Sequence, residues 1–456
     1  MSLTRALATF ASETSFDDLP DDAVEVAKLA TLNIVGCCLG GYQTRIGRLH
    51  VEIAKDYGAG LPQATILGDG AKVSLPFAAY ANGNLGFALD YEDMVFAVVH
   101  PGFATVAAGL GVGEHDGLSG RQLLTAIVIG YEVSTRIALS MQPSPARARR
   151  VWGQQFHPFA SAAAAGRLFE LTSEGMNVAF GIAATYATVP SVYKYFGPVR
   201  DTRPIREAKQ GWGWVCMAGL MAADSARRGF RGGLDALDGD FGFWSMASSD
   251  RFEPARALAG LGDDWLIREI EYKIHPSIGI NHPAYWATRQ LVEEHDVRPN
   301  LVDTLTVTTP WGNLLDDRAP AGPVDAQFSL PFTVASTVLR RPLSPALYTD
   351  AARDDCALQA LLGRTRVIHD AEADRAFYDE QRIIQTVVIA LRDGRSLERS
   401  IEFPRDRPPY GRAELEAKFH VLAEGVIDET RRADIIDAIG SLETLSDLGE
   451  LAAQLH

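Results

Sequence analysis

Alanine and glycine fill the apolar segments between Leu75 and Arg228, and this composition restricts the fold more than any other feature of the sequence. Small side chains let apolar helices approach one another closely, so the pattern favours a bundle with little exposed on most helices. No convincing alternation of apolar and polar residues, the pattern of a half-buried strand, is present before residue 300. We therefore predict a compact all-helical bundle, with apolar stretches that include 103–112, 123–133, 159–171 and 179–187.

The N-terminal residues predict two further helices. Leu3, Leu7 and Phe10 recur at helical spacing behind Ser2, a residue type that caps helices well. A second helix is expected to begin after Pro20, where a proline and two aspartates favour a first turn, and to end at the glycine pair 40–41.

The composition changes after about residue 268, which predicts a second kind of structure. The segment 303–309 alternates apolar residues with threonines and is typical of a strand. Asp393-Gly394 separates the segments 382–391 and 396–403 and predicts a hairpin. Helical patterns return at 414–422 and 427–455.

A chain of 456 residues is too long for one hydrophobic core, so we expect more than one domain. The predicted organisation is mostly α. A helical domain spans 1–268, an α+β domain spans 269–403, and C-terminal helices in 404–456 pack back on the first domain.

Net charge and cysteine content indicate which partners, metal sites and cellular compartment to expect. The net charge of −15 argues against nucleic acid and anionic membranes as partners. The four cysteines form no CxxC pair, which suits a reducing cytoplasm and disfavours zinc and iron–sulfur sites. No signal peptide is visible, and no segment approaches the ~20 uncharged apolar residues of a membrane span. We therefore expect a cytoplasmic protein.

The segment from Ala88 to Gly102 concentrates acids and a histidine among apolar residues. Burying a carboxylate is costly unless it is paired, and the same surroundings raise its pKa toward that of a useful general base. Asp90 and His100 are therefore candidates for catalysis. The alternative is that Asp90, Glu92 and Asp93 form a solvated turn that caps the helix after Pro101.

Four other stretches, one of them basic, supply candidates for the site. His157 lies at or just before a predicted helix N-terminus, where a histidine tends to stay neutral. Lys273, His275 and His282 lie at the predicted boundary between domains, where small-molecule sites are common. Their spacing does not match a metal-binding HExxH pair, so we predict no metal. The segment 325–339 is a further candidate for the site. The alternative is that Ser329 only caps the start of a helix there.

The segment 193–210 is basic within an acidic chain, and arginine and lysine can hold carboxylates. The alternative is a solvated loop paired with its own acids. The predicted substrate-binding residues in this segment are Lys194, Arg200, Arg203 and Lys209. A base beside cations suits abstraction of a proton next to a carboxylate.

At these residues the chain resembles the MmgE/PrpD family over nearly its whole length. The matching segments include NGNLGFALDYED at 82–93, HPG at 100–102, GYEVSTRIA at 130–138, FHPFASAAAAGRL at 156–168, YKIHPSIGINHPA at 272–284 and DAQFSLPF at 325–332. The resemblance implies a large helical domain built from both ends of the chain, with a smaller α+β lid inserted between them. It also implies homodimers, no metal or organic cofactor, and reactions at a carbon next to a carboxylate.

By position, the resemblance implies a polar site made of Asp90, His100, His157 and Lys273, with Asp90 or His100 as the base. It also implies where this chain departs from the family. Met94, Phe96 and Phe332 occupy positions near the expected substrate where many members have threonine, histidine and tyrosine, and Ile278 replaces a histidine of the decarboxylases. We therefore hypothesise a substrate with fewer polar groups than a tricarboxylate.

The predicted activity is that of a cofactor-independent dehydratase acting on a small organic acid. An epimerase of an iminodisuccinate-like dicarboxylate, a decarboxylase and a non-catalytic carboxylate-binding protein are the alternatives.

Overall fold

The computed structural model describes residues 2–95, 99–148, 156–187, 212–247, 249–406, 408 and 410–456. The described chain is mostly helical. The helices of ten residues or more are Leu3–Glu13, Asp21–Tyr42, Arg45–Gly58, Leu75–Phe87, Pro101–Asp116, Gly120–Ser140, His157–Leu168, Ser173–Tyr186, Trp212–Arg227, His282–Glu294, Ala371–Glu380, Arg412–Ala423 and Glu429–Gly440. Shorter α-helices span Pro145–Ala148, Phe243–Met246, Pro254–Leu258, Gly312–Leu315, Pro323–Phe328, Leu330–Val338, Asp350–Arg353, Cys356–Leu362 and Leu448–Ala452.

Both N-terminal helices form as predicted. The Ser2 hydroxyl accepts a hydrogen bond from the backbone N–H of Arg5 and caps the first helix. The second helix begins directly after Pro20 and ends at Tyr42, one residue beyond the glycine pair.

Small residues allow helices to pack closely, as the composition predicts. A Cβ atom at Gly36 would lie 3.2 Å from the Phe419 ring, and one at Gly40 would lie 2.7 Å from Leu422 Cδ2. These glycines therefore admit the C-terminal helix Arg412–Ala423 against the N-terminal helix Asp21–Tyr42. The two ends of the chain thus share one hydrophobic core.

Four short strands precede residue 300 in the described part of the chain, so the prediction of an entirely helical N-terminal region was wrong in detail. Strands β1 (Ala64–Thr65) and β2 (Lys72–Val73) pair with each other, and β3 (Asp93–Val95) pairs antiparallel with β4 (Ile270–Tyr272). Strands of two or three residues are too short to show alternation in the sequence. The β3–β4 pair matters most, because it places residue 273 beside the acid–histidine segment.

A four-stranded sheet follows in the order β6-β5-β7-β8. Strands β5 (Val302–Thr309), β7 (Ile383–Leu391) and β8 (Ser396–Phe403) match the predicted strand and hairpin, and Gly394 in the hairpin turn has φ +92°. Strand β6 (Thr365–His369) pairs parallel to β5 and was not predicted, because it is a half-exposed edge strand with little apolar periodicity. A second hydrophobic cluster includes the buried faces of β5 and β7. The domain boundaries at 268/269 and 403/404 remain predictions.

Two helices, Asp21–Tyr42 and Gly120–Ser140, are long and apolar enough to cross a membrane, contrary to our expectation that no segment comes near that length. Their most apolar windows are 83% and 94% buried inside the protein. Helices in the core of a soluble protein show the same combination of length and burial.

Candidate functional site

Asp90 lies just beyond the helix Leu75–Phe87 in a left-handed backbone conformation, with φ +52°. Few residues other than glycine adopt this conformation, although aspartate tolerates it better than most. The Asp90 side chain is buried and forms an ion pair with the Lys273 ammonium. The strained turn at the helix end therefore brings Asp90 to Lys273.

Lys273 follows β4 and is fully buried between two carboxylates. Its Nζ lies 2.5 Å from Glu92 Oε1, and its backbone N–H donates to the Glu92 carbonyl at 3.2 Å. Burial raises the pKa of Glu92 and lowers the pKa of Lys273, and the attraction between the two charges opposes both shifts. Removal of either side chain of such a buried ion pair would leave the charge of the other one buried and uncompensated.

His100 completes the cluster from the other side of Glu92. Its Nδ1 lies 2.9 Å from Glu92 Oε1 and 3.1 Å from the Asp93 carbonyl oxygen. Burial, followed by the positive charge of Lys273, holds the pKa of His100 well below its usual range, so the ring is neutral. Because both neighbours of Nδ1 are acceptors, Nδ1 carries the proton and Nε2 keeps its lone pair. No hydrogen-bond partner for Nε2 is found among the described residues.

His157 begins the helix His157–Leu168, as the sequence predicts, and contacts the same cluster. Its Nε2 accepts a hydrogen bond from the backbone N–H of His100 at 3.2 Å. The Trp212 ring lies 5.1 Å from the His157 ring and stacks on Phe87 at 4.1 Å. His157 therefore holds the backbone of His100, and aromatic rings enclose both histidines.

The acids at 90, 92 and 93 are at most 1% exposed, so the alternative of a solvated turn is wrong. Asp93 accepts hydrogen bonds from the Tyr131 hydroxyl at 2.8 Å and from the Asn33 amide at 3.3 Å. Burial raises the pKa of Asp93 to about 6. Its carboxylate lies over Gly102, where a Cβ atom would come within 2.6 Å of Asp93 Oδ1.

Several residues of this cluster were missed by sequence reasoning. Glu92 and Asp93 lie in the acid–histidine segment, but nothing in the spacing indicated that Glu92 would join His100 to Lys273. Tyr131 lies within a segment that resembles the family, which was the available signal. Lys418, whose ammonium contacts the Tyr91 and Lys273 carbonyls, had no motif to indicate it.

His275 and His282 are buried but make no hydrogen bond to Asp90, Glu92 or His100 within the part of the chain that the structure describes. His275 Nδ1 lies 2.9 Å from the Ser277 hydroxyl, and burial lowers the pKa of His275 to about 3. His282 lines a cavity of about 270 Å³ with Tyr272 and Tyr410. A role for either histidine in substrate binding remains a prediction.

Met94 and Phe332 are buried in the second hydrophobic cluster together with Ile278. A Cβ atom at Gly279 would lie 2.6 Å from Met94 Sδ, so Met94 packs tightly on the segment after Lys273. Phe332 stacks on Tyr348 at 5.6 Å. The Ser329 hydroxyl caps the helix that carries Phe332 by accepting a hydrogen bond from the Phe332 N–H, and a role of this segment in the site remains a prediction. Contact of Met94 or Phe332 with substrate remains a prediction.

The predicted basic residues Lys194, Arg200, Arg203 and Lys209, and the departure at Phe96, lie outside the described residues. Within the described ranges, no group of three or more histidine, cysteine, aspartate or glutamate side chains could hold a metal ion. The absence of a metal or cofactor remains a prediction.

Two protein-family models match most of the chain. The model of the MmgE/PrpD N-terminal domain matches residues 5–255, and that of the MmgE/PrpD C-terminal domain matches residues 275–444. The chain belongs to the MmgE/PrpD family. The resemblance seen in the sequence motifs is thereby confirmed.

The curated relatives that match this MmgE/PrpD chain over nearly its whole length include two fungal proteins and a human one. A cis-aconitate decarboxylase-like protein, oryM, of Aspergillus oryzae is 24% identical over 99% of this chain and 97% of its own. Cis-aconitate decarboxylase of Aspergillus terreus is 23% identical over 100% of this chain and 96% of its own. Human cis-aconitate decarboxylase is 22% identical over 100% of this chain and 94% of its own.

Proposed function

We propose that this MmgE/PrpD protein is a lyase that removes a proton next to a carboxylate of a small organic acid, without a cofactor, and that His100 is the base. The observation that carries this proposal is the position of His100 Nδ1 between Glu92 Oε1 and the Asp93 carbonyl, at 2.9 and 3.1 Å. A neutral imidazole fixed through Nδ1 presents Nε2 as a proton acceptor. Family membership and the cis-aconitate decarboxylase relatives support a lyase at the level of reaction class.

Asp90 is the less suitable base of the two that the sequence indicated. Its carboxylate is paired with the Lys273 ammonium, which stabilises the ionised form and makes the carboxylate a weak proton acceptor. Lys273 uses two of its three ammonium hydrogens on Asp90 and Glu92. We assign the third hydrogen to the substrate carboxylate, where the positive charge would stabilise the enolate-like charge that develops after proton removal.

Glu92 favours dehydration over the alternatives. Its Oε1 is occupied by Lys273 and His100, whereas its Oε2 is buried and has no hydrogen-bond partner among the described residues. A carboxylate oxygen accepts a hydrogen bond from a hydroxyl but repels a second carboxylate. We assign Oε2 to a substrate hydroxyl on the carbon next to the one that loses its proton. His100 Nε2 would take the proton, and the carbon–carbon double bond would form as the carbon–oxygen bond breaks. The imidazolium so formed would return that proton to the departing oxygen, which leaves as water.

The apolar residues Met94, Ile278 and Phe332 support a substrate with fewer carboxylates than citrate or cis-aconitate. A buried carboxylate without partners would cost several kcal/mol. Decarboxylation is the second candidate, because the A. terreus and human relatives are cis-aconitate decarboxylases and oryM is named a cis-aconitate decarboxylase-like protein.

Proton NMR in deuterated water tests this function on a panel of mono-, di- and tricarboxylic acids, with hydroxy and imino acids included. We expect a hydroxy mono- or dicarboxylate to exchange its α-proton and to yield an alkene signal at the same carbon count. Exchange without an alkene would indicate an epimerase, and release of carbon dioxide would indicate a decarboxylase. Fast turnover of citrate, 2-methylcitrate or cis-aconitate would contradict the proposed substrate polarity.

A further inference from the structure

Lys418 is a buried lysine on the C-terminal helix Arg412–Ala423, and its ammonium contacts the backbone of the candidate site. All three of its hydrogens have acceptors. Nζ donates to Asn33 Oδ1 at 2.8 Å, to the Lys273 carbonyl at 3.2 Å and to the Tyr91 carbonyl. The ammonium also lies 3.7 Å from the centre of the Tyr91 ring. A buried ammonium with a full set of partners fixes the positions of the groups that it joins.

Two of the three acceptors of Lys418 belong to the two chain segments that carry the ionic cluster. One is the carbonyl of Tyr91, which directly precedes Glu92, and the other is the carbonyl of Lys273 itself. Lys418 therefore holds the main chain on both sides of the Glu92–Lys273 contact. Its side-chain partner Asn33 extends the network, because the Asn33 amide donates to Asp93 Oδ2 at 3.3 Å.

The charge of Lys418 also acts on the acids of the cluster. Its positive charge lowers the pKa of Glu92 and Asp93, against the larger effect of their burial. Glu92, Asp90 and Asp93 are three buried carboxyl groups, and Lys273 alone would leave them with an excess of negative charge. Lys418 supplies a second cation without contacting His100.

We propose that Lys418 is a positioning residue, which holds Tyr91 and Lys273 so that Glu92 stays in contact with both the Lys273 ammonium and the His100 imidazole. This inference rests on the proposed function for its effect on turnover. Misplacement of a catalytic group by about 1 Å costs on the order of 100-fold in rate. The C-terminal helix, far from residue 100 in sequence, would thus set the geometry of the base.

Lys418→Met tests the proposal, and Lys28→Met is the matched control. Lys28 is also a buried lysine, 4% exposed, and it joins the helix Asp21–Tyr42 to the C-terminal region through Glu443 at 2.8 Å. Lys28 contacts no member of the cluster. We expect Lys418→Met to lower kcat roughly 10- to 100-fold with little change in KM, and Lys28→Met to retain kcat.

A second measurement does not depend on turnover. Carbon-13 NMR of labelled aspartate side chains, with the Asp93 signal assigned by Asp93→Asn, should show Asp93 titrating at higher pH in Lys418→Met than in the wild type or in Lys28→Met. Equal titration of Asp93 in the three folded proteins, or equal kcat values, would overturn the proposal. If the wild type turned over no acid of the panel, the proposed function would fail, and the Asp93 titration alone would decide the role of Lys418.

Discussion

At the scale of single residues, one carboxylate organises the site. Glu92 Oε1 contacts both Lys273 and His100, so one oxygen fixes a cation and orients a base. This resembles the general arrangement in which a carboxylate orients a histidine and selects its tautomer. The same contact separates the roles of the two acids, because Asp90 pairs with Lys273 whereas Glu92 is shared by Lys273 and His100.

The pKa of His100 leads to a prediction about pH. Its pKa lies well below the ordinary value of 6.5, so the imidazole stays unprotonated as the pH falls to that value. A base acts in its unprotonated form, and the acid limb of kcat/KM reports its pKa in the free enzyme. We expect kcat/KM to remain nearly constant from pH 7.5 down to about pH 6.5. A profile that has already fallen by half at pH 6.5 would contradict a buried neutral His100 as the base.

Sequence reasoning found most of these residues but not their partners. Acids among apolar residues identified Asp90 and His100 because burial of charge is costly and therefore informative. The pairing of Lys273 with Asp90 and Glu92 depends on the β3–β4 contact, which joins residues about 180 positions apart along the chain. Spacing along one chain carries no information on such a contact.

At the scale of elements, the helix Pro101–Asp116 and strand β3 are joined through a glycine. Gly102 lies in the first turn of the helix, against the Asp93 carboxylate. A Cβ atom added at Gly102 would lie 2.5 Å from the Tyr131 hydroxyl oxygen. The absence of a side chain there lets Asp93 approach the helix N-terminus, where a negative charge is favoured.

Gly102→Ala is expected to destabilise the protein by roughly 1–3 kcal/mol, because the new methyl group must displace Asp93 or Tyr131. Since Asp93 adjoins Glu92 and accepts from His100 through its carbonyl, turnover should fall as well. Urea unfolding and kcat would be measured together. Gly233→Ala is the control, since nothing lies within 4 Å of a Cβ there. A Gly102→Ala protein as stable and active as the control would show that Gly102 has no such role.

The sequence predicted those helices and strands that are long enough to show apolar periodicity or that have a clear capping or turn residue. The hairpin β7–β8 followed from Asp393-Gly394, and the N-terminal helix from its cap and apolar spacing. Strands β3 and β4 were missed because three residues do not define a period, yet they position Lys273. The elements that matter most for the site were therefore the ones with the weakest sequence signal.

At the scale of the whole molecule, both ends of the chain contribute to the site. The helix Asp21–Tyr42 carries Asn33, and the helix Arg412–Ala423 carries Lys418. The two side chains are hydrogen-bonded to each other and contact Asp93 in β3 and the Lys273 carbonyl after β4. Close packing of these helices through Gly36 and Gly40 makes this contact feasible. The homodimer, the cytoplasmic location and the lid arrangement remain predictions from the sequence and the family.

His100, in the proposed function, is the base that removes a proton next to a carboxylate. The most direct measurement is the rate of solvent deuterium exchange at the α-carbon of a turned-over acid, by NMR, for the wild type, His100→Gln and His115→Gln. His115 lies near the end of its helix with its side chain 35% exposed and is outside the cluster. Loss of a general base costs about 100- to 10,000-fold.

We expect His100→Gln to fold, with an unchanged circular dichroism spectrum, and to lose exchange by at least about 100-fold, while His115→Gln exchanges at the wild-type rate. Exchange by folded His100→Gln at a rate close to that of the wild type would contradict the assignment and return Asp90 as the candidate base.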